Sequence, residues 1–452
     1  MKQILWTLVI GMMFGTACSA KQEKELKPTF INIHFTVDDS VYTTNDYSNF
    51  NVLVYNRQNA AAAADTIFFG ITDTTGRING SFKLEQEGAY PLQVSRNGIN
   101  ITTLRVILSE DDTVNISGTF PNFEETYSID SRESRAMAVY DRVERGFQLT
   151  NRYILAGQVP DTLITFELQK WVDLYWEVFE ERKGTIASKF ALEGMINLLD
   201  RYDKVQMFEK LKQSFDEDLA FGLAITKGKD FLADVKGLDE TLSYMDSLKT
   251  LTKQDDIIQA IDQSIIKINF DSARVEDADR LLERYNSKYN EKGVEPSFWY
   301  KNLRYEISYL APGLDIPEFS FITSDGDTIS NSSMIGKPYV LEFTPMADQM
   351  YQSQYEEATV IYQIYNRSGL EYITIPFDQS VNTIIAFFQE RDRYWELADP
   401  PSFNKQELIE DFNIQYFPTR ILVNKEGKIV RKFVGVEFDE IIPAITSTLK
   451  NN

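Results

Sequence analysis

The hydrophobic period of this 452-residue chain changes twice along its length, which commits it to a multidomain fold with three different kinds of layer. Residues 29–118 alternate apolar and polar side chains with period two. The runs are FINIHFTV (30–37), NVLVY (51–55), TIFFG (66–70), GSFKL (80–84), YPLQV (90–94), TTLRVIL (102–108) and TVNISG (113–118), separated by turn material such as TDTTGR, EQEG, SRNG and SEDD. The pattern predicts short strands in an antiparallel sandwich or barrel-like sheet. Over residues 119–305 the apolar positions recur at three and four instead. In FELQKWVDLYWEVFEERK (166–183), Leu168, Val172, Tyr175 and Phe179 share one face. Five to seven helices in a bundle are expected there.

Residues 306–452 alternate strand and helix, the α/β pattern. PYVLEFTP (338–345) is a continuous apolar run, as for a central strand covered on both faces, and EYITIPF (371–377) is a second strand. RILVNKEGKIVRKFVG (420–435) reads as a hairpin turning at Lys425–Gly427. Helices are expected from about 348 to 367, around 381–395 and over 438–449.

Charge and rare residues exclude several chemistries. With 46 Lys+Arg against 68 Asp+Glu the net charge is -22, so phosphate backbones are repelled and no nucleic-acid partner is expected. There is one Cys, Cys18, and one His, His34. That count leaves no internal disulfide and no Cys/His zinc site, and a di-iron carboxylate site lacks the His it needs. No metal or cofactor is expected. His34 lies inside the first strand run and reads as an ordinary strand residue.

The N-terminus reads as an address. After Lys2 comes a short, mainly apolar run from Ile4 to Phe14, too short to span a bilayer, and then Gly15-Thr16-Ala17-Cys18. This GTAC segment resembles the lipobox of bacterial lipoproteins. The resemblance implies cleavage of residues 1–17 as a signal peptide and lipid attachment at Cys18. Residues 18–28 (CSAKQEKELKP) are polar and aperiodic, as a tether is. In that family an Asp after the Cys retains the protein in the inner membrane; Ser19 stands here, favouring an outer-membrane address in the cell envelope, on the periplasmic side or the cell surface. Removing Lys2 with the leader leaves the mature body one unit more acidic.

Three segments of the last third carry a second resemblance. APGLDIPEFSF (311–321), SDGDTISNSSMIGKPYVLEF (324–343) and YFPTRILVNKEGKIV (416–430) together resemble the TlpA/ResA-type thioredoxin-like proteins related to the AhpC/TSA redoxins, over about residues 311–450. The β-region followed by helices resembles the uncharacterised N-terminal region often fused to such lipoproteins. The resemblance implies a thioredoxin-like domain over 306–452, a cis proline at Pro418, and a groove in which the backbone of the preceding residue, Phe417, receives an extended peptide.

The departure from that family falls where its chemistry is done. An F-W-A-x-W-C-x-x-C segment follows the family's central strand. Here the stretch runs from Phe343 to Tyr351 as FTPMADQMY, with Asp348 at the position of the nucleophilic Cys and Tyr351 at that of the resolving Cys. Exchange requires a thiolate at the helix start and a second thiol one turn on, so thiol–disulfide oxidoreductase chemistry is excluded and no catalytic residue is assigned. Asp is a strong helix N-cap, which is the role expected of Asp348. Tyr351 is expected to fill the volume of the second Cys with its hydroxyl in water. The resulting expectation is a lipid-anchored, redox-inactive thioredoxin-like scaffold or binding module, with Asp348, Tyr351, Phe417 and Pro418 around a groove for a polypeptide or envelope partner. An enzyme of another class, using Asp348 or Asp378, stays open, as does a purely structural envelope lipoprotein.

Overall fold

The computed structural model describes residues 26–38, 47–56, 65–290 and 294–450. The leader 1–17, Cys18 and most of the tether lie outside these residues. The strands of the N-terminal region are β1 (Pro28–Val37), β2 (Phe50–Asn56), β3 (Asp65–Ile71), β4 (Arg77–Lys83), β5 (Gly88–Arg96), β6 (Ile99–Leu108), β7 (Thr113–Phe120) and a short β8 (Ser128–Asp130). They form two four-stranded sheets, ordered β4-β1-β7-β8 and β3-β2-β5-β6. The inward residues of both sheets, among them Ile31, Ile33, Phe35, Val52, Val54, Leu92, Val94, Val114 and Ile116, meet in one core. The alternation in the sequence is therefore the inside and outside of a sandwich. One pairing departs from the antiparallel expectation: β1 and β7 run parallel, Phe30 opposite Thr113 through Val37 opposite Phe120. These are the first and seventh strands, so the pairing needs no tight turn and leaves no local trace. His34 lies in β1 opposite Arg77 and Ser117, half-buried on the outer face.

The helical stretch contains a one-turn α1 (Phe123–Thr126) and then α2 (Arg132–Leu155), α3 (Asp161–Glu181), α4 (Ile186–Tyr202), α5 (Lys204–Lys212), α6 (Asp218–Leu223), a π turn (Ala224–Gly228), α7 (Lys229–Lys236), α8 (Leu238–Leu248), α9 (Asp255–Asp271), α10 (Val275–Tyr289) and α11 (Phe298–Tyr309). These are more and shorter helices than the five to seven expected. Local stops cut the periodic runs: Gly184 and Gly237 take positive φ, and Asp203 closes α4 while its side chain caps α5. By packing, the chain forms two units. Residues 18–253 cluster with the sandwich, and residues 254–452 cluster with the C-terminal sheet. Helices α9 to α11 therefore belong to the C-terminal unit.

The C-terminal unit adds β9 (Ser320–Ile322), β10 (Thr328–Ser330), one-turn α12 (Asn331–Met334), β11 (Tyr339–Thr344), α13 (Gln349–Tyr365), β12 (Glu371–Pro376), α14 (Val381–Gln389), β13 (Glu396–Leu397), α15 (Lys405–Asp411), β14 (Thr419–Val423), β15 (Ile429–Val434) and α16 (Ile441–Lys450). Its main sheet is ordered β13-β12-β11-β14-β15. The β11–β12 and β12–β13 pairs are parallel; β11–β14 and β14–β15 are antiparallel. Every residue of β11 is buried, as its unbroken apolar run predicts. Leu341 and Phe343 face one core with Phe319 and Ile421, and Val340 faces another with Tyr355, Leu422 and Phe433. The hairpin turns at Gly427, which takes φ +79°. Helix α11 is fixed to the edge of this sheet by a buried cation: Lys432 Nζ donates to Glu306 Oε1 and to the Phe412 and Asn413 carbonyls.

Candidate functional site

The end of β11 and the start of β14 are antiparallel neighbours, with Phe343 opposite Thr419. That register brings the loop leaving β11, residues 345–348, alongside the segment entering β14, which contains Phe417 and Pro418. The Phe417–Pro418 peptide is cis. The two sides are tied through β15: Gly435 N–H donates to the Pro418 carbonyl (2.9 Å), and the Gly435 carbonyl accepts from Gln354 Nε2 of α13 (3.0 Å). Gly435 holds φ +60°, and a Cβ there would sit 3.4 Å from Met350 Sδ, so a glycine suits this close approach. Asp348, Tyr351, Phe417 and Pro418 are thus gathered at one end of the sheet.

Asp348 is the N-cap of α13, its Oδ1 accepting from Tyr351 N–H at 2.8 Å. Asp378, just past β12, is buried and accepts Met346 N–H (2.7 Å) on Oδ2 and Ala347 N–H (3.3 Å) on Oδ1. Both carboxylates considered as acid–base groups are thus occupied with backbone donors, one capping the helix and the other holding the loop before it. Among the described residues no group of three or more His, Cys, Asp or Glu is arranged to hold a metal ion.

Tyr351 differs from expectation. Its side chain is fully buried, stacked on Phe387 (5.6 Å) and edge-on to Tyr355 (5.8 Å), and its hydroxyl is buried with no hydrogen-bond partner among the described residues. From the first turn of α13 the ring points back onto the sheet, where Phe387 and Tyr355 offer an apolar seat large enough to draw the whole phenol in. Burial, reinforced by the charge of Glu342, holds that hydroxyl well above the ordinary tyrosine pKa of 10.0.

Beneath Tyr351 lies a polar network that the periodicity of the strands does not reveal. Glu342 of β11 and Arg420 of β14 are direct cross-strand partners, joined at 2.7 Å with side chains 0% and 1% exposed. Glu342 Oε1 also accepts from Tyr372 Oη (2.9 Å), and Oε2 accepts from Thr374 Oγ1 (2.6 Å), which in turn accepts from Trp395 Nε1 (2.8 Å). Arg420 Nη1 reaches Gln354 Oε1 (2.9 Å), and the guanidinium stacks over Phe438 at 4.1 Å. The signal in the sequence was a charged residue at an inward position of each of two apolar strands.

At the surface of the site Phe417 is half-buried, and its neighbours Tyr416 (69%) and Val436 (59%) are exposed. Neither the amide nor the carbonyl of Phe417 bonds to another described residue.

Residues 336–429 match the family described as thioredoxin-like. The C-terminal domain is thioredoxin-like. Over 129 residues, 28% of this chain and 72% of the relative, the chain is 24% identical to the thiol-disulfide oxidoreductase ResA of Bacillus cereus. It is 23% identical, over the same length and shares, to the protein of that name from Bacillus anthracis. Among solved structures, the thioredoxin domain of a thiol-disulfide oxidoreductase from Bacteroides vulgatus matches with a TM-score of 0.27 at 22% identity, covering 29% of this chain and 96% of that one. In this thioredoxin-like domain the positions after β11 are held by a cap and a core residue, Asp348 and Tyr351.

Proposed function

We propose that this chain is a membrane-anchored, redox-inactive thioredoxin-like module that holds an extended stretch of a polypeptide or cell-envelope partner against the backbone of Phe417. The observation that carries the reading is the pairing of two features at one end of the sheet. Asp348 and Tyr351 stand in place of the thiols, and the Phe417 amide and carbonyl beside them are engaged by no other described residue. Such a donor and acceptor next to exposed Tyr416 and Val436 are what strand addition uses: main-chain hydrogen bonds for affinity and side-chain contacts for selectivity. The lipobox-like GTAC sequence supports the anchor.

The test uses an unfolded polypeptide whose cysteines are alkylated, so that no exchange can contribute. Fluorescence anisotropy should show saturable binding that weakens about tenfold in Tyr416→Glu, a loss typical of removing an aromatic anchor. A disulfide-reduction assay on the same preparation should show no turnover. Binding that is absent, or that survives Tyr416→Glu and Val436→Glu together, removes the reading.

A further inference from the structure

In the unit of residues 18–253, α2 and α3 form an antiparallel pair whose far end outruns its support. Glu144 accepts from Tyr175 Oη (2.6 Å), Phe147 meets the Trp171 ring (6.3 Å), and the last residue of α4, Tyr202, donates to Gln169 (3.2 Å). Beyond those contacts remain residues 149–155 of α2 and 161–168 of α3, a projection of about 10–12 Å at 1.5 Å per residue. The tip is firmly built. Gly157 takes φ +67° and donates to the Ile154 carbonyl, Gln158 N–H bonds back to the Tyr153 carbonyl, and Pro160 starts α3.

Its surface does not match the rest of the chain. Leu155 and Phe166 are 68% and 69% exposed, and Leu149, Tyr153 and Leu163 are nearly half exposed. One residue in four of the whole chain is charged, yet residues 149–166 contain only Arg152 and Asp161, which cancel. An apolar tip on a chain of net charge -22 is a feature with a use.

The chain outside the described residues indicates what covers it. The start of β1 and the base of α2 share one loop. Thr29 Oγ1 donates to the Ser109 carbonyl, Arg132 Nη2 donates to Ser109 Oγ, and Asp112 accepts Phe30 N–H on its carbonyl and Arg132 N–H on its carboxylate. The tether therefore leaves the body at the foot of α2. From Cys18 to Pro28 an extended chain reaches about 35 Å, and the 24-residue α2 is about 36 Å long. A lipid on Cys18 and the tip of the hairpin can thus meet the same plane. We infer that the α2–α3 tip (Leu149, Tyr153, Leu155, Leu163 and Phe166) docks into the lipid bilayer to which the chain is anchored. The assignment of that occupant rests on the lipid-anchor reading. The projecting length suits insertion to the headgroup–acyl boundary, which lies about 5–10 Å deep. The tether keeps the bilayer within reach at high effective concentration, whereas a second copy is held off by like charge.

The experiment uses the acylated chain in phosphatidylethanolamine–phosphatidylcholine vesicles. Acylation consumes the only native cysteine, so Leu155→Cys, Thr162→Cys and, as a control, Lys204→Cys each accept one environment-sensitive fluorophore. Blue-shifted emission, quenched by bilayer nitroxides at 155 and 162 but not at 204, is the expected result. Deleting residues 20–24 should cut that quenching several-fold. Emission at 155 and 162 that ignores lipid overturns the inference. So does a shift that needs no lipid and grows with protein concentration, which identifies a second copy as the occupant. The mass of the N-terminal peptide reports acylation separately. If Cys18 carries no lipid, the same labels on a Cys18→Ser chain decide the tip: lipid-dependent quenching upholds it, and none overturns it.

Discussion

At the residue scale, Glu342 and Arg420 are the least expected feature of the domain. Each interrupts an apolar strand, and alone either would be a charge buried without compensation. They compensate each other only because β11 and β14 align them, 78 residues apart in the chain. The strands themselves were legible; their register was not, so the two charges could not be joined from the sequence. The coupling gives a sharp prediction. Glu342→Leu or Arg420→Met alone should destabilise the domain by about 3–5 kcal/mol, because each leaves the other charge stranded. The double variant should recover most of that loss, since a buried pair and an apolar pair of similar volume are often close in stability. Urea unfolding of the four proteins checks this as a double-mutant cycle, and additive losses would contradict the coupling. Tyr351 teaches the same lesson in another form. Its position as the stand-in for a thiol was readable, but the depth to which it sinks depends on Phe387, an aromatic from a different helix.

At the element scale, period decided type and long-range contact decided the rest. The unbroken run of β11, the alternation of the sandwich strands and the cap at Asp348 all follow from local chemistry. The parallel β1–β7 pair, the division of the helices and the occupied state of Asp378 depend on partners far along the chain. Helix α4 shows how such a contact sets a pH response. Glu193 in its middle is held above the ordinary carboxylate pKa of 4.5 by burial, with Lys227 opposing. Lys227 is itself paired to Asp200 at 2.6 Å, and Tyr140 of α2 is influenced by both Glu144 and Glu193. A carboxyl whose folded pKa is raised favours folding while it is protonated. That contribution is complete below pH 4.5 and is lost as pH rises through the folded value. Glu193→Gln should therefore raise the melting midpoint at pH 7 by roughly 1–3 °C. Its advantage should vanish near pH 4, where the native side chain is neutral in both states. Melts followed by circular dichroism across pH 4–8 test this, and a pH-independent difference would mean that packing, not titration, is responsible.

At the scale of the whole molecule, the division of the helices carries a consequence for how the chain can be cut. The periodic stretch 119–305 invites a boundary at 305/306, but that point lies inside α11, which spans Phe298–Tyr309. Leu303 and Ile307 of that helix are buried with Phe270 and Leu282 of the two helices before it, and Glu306 neutralises Lys432 at the sheet edge. Burial pushes the Lys432 ammonium below its ordinary pKa, with Glu306 acting to restore it. A fragment starting at 306 keeps both Lys432 and Glu306 but loses residues 298–305, the turns of α11 that hold Glu306 in place, while exposing apolar surface that α9 and α10 normally cover. A fragment of residues 254–452 retains those turns and that cover, and residues 18–253 keep the sandwich together with α2 to α8. Expressed separately, 18–253 and 254–452 should each unfold in a single cooperative thermal transition, as compact units with their own cores do. The fragment 306–452 should melt lower than 254–452 or bind a hydrophobic dye before heating. Equal stability of 306–452 and 254–452 would show that α9, α10 and the first two turns of α11 are passengers on the thioredoxin-like domain.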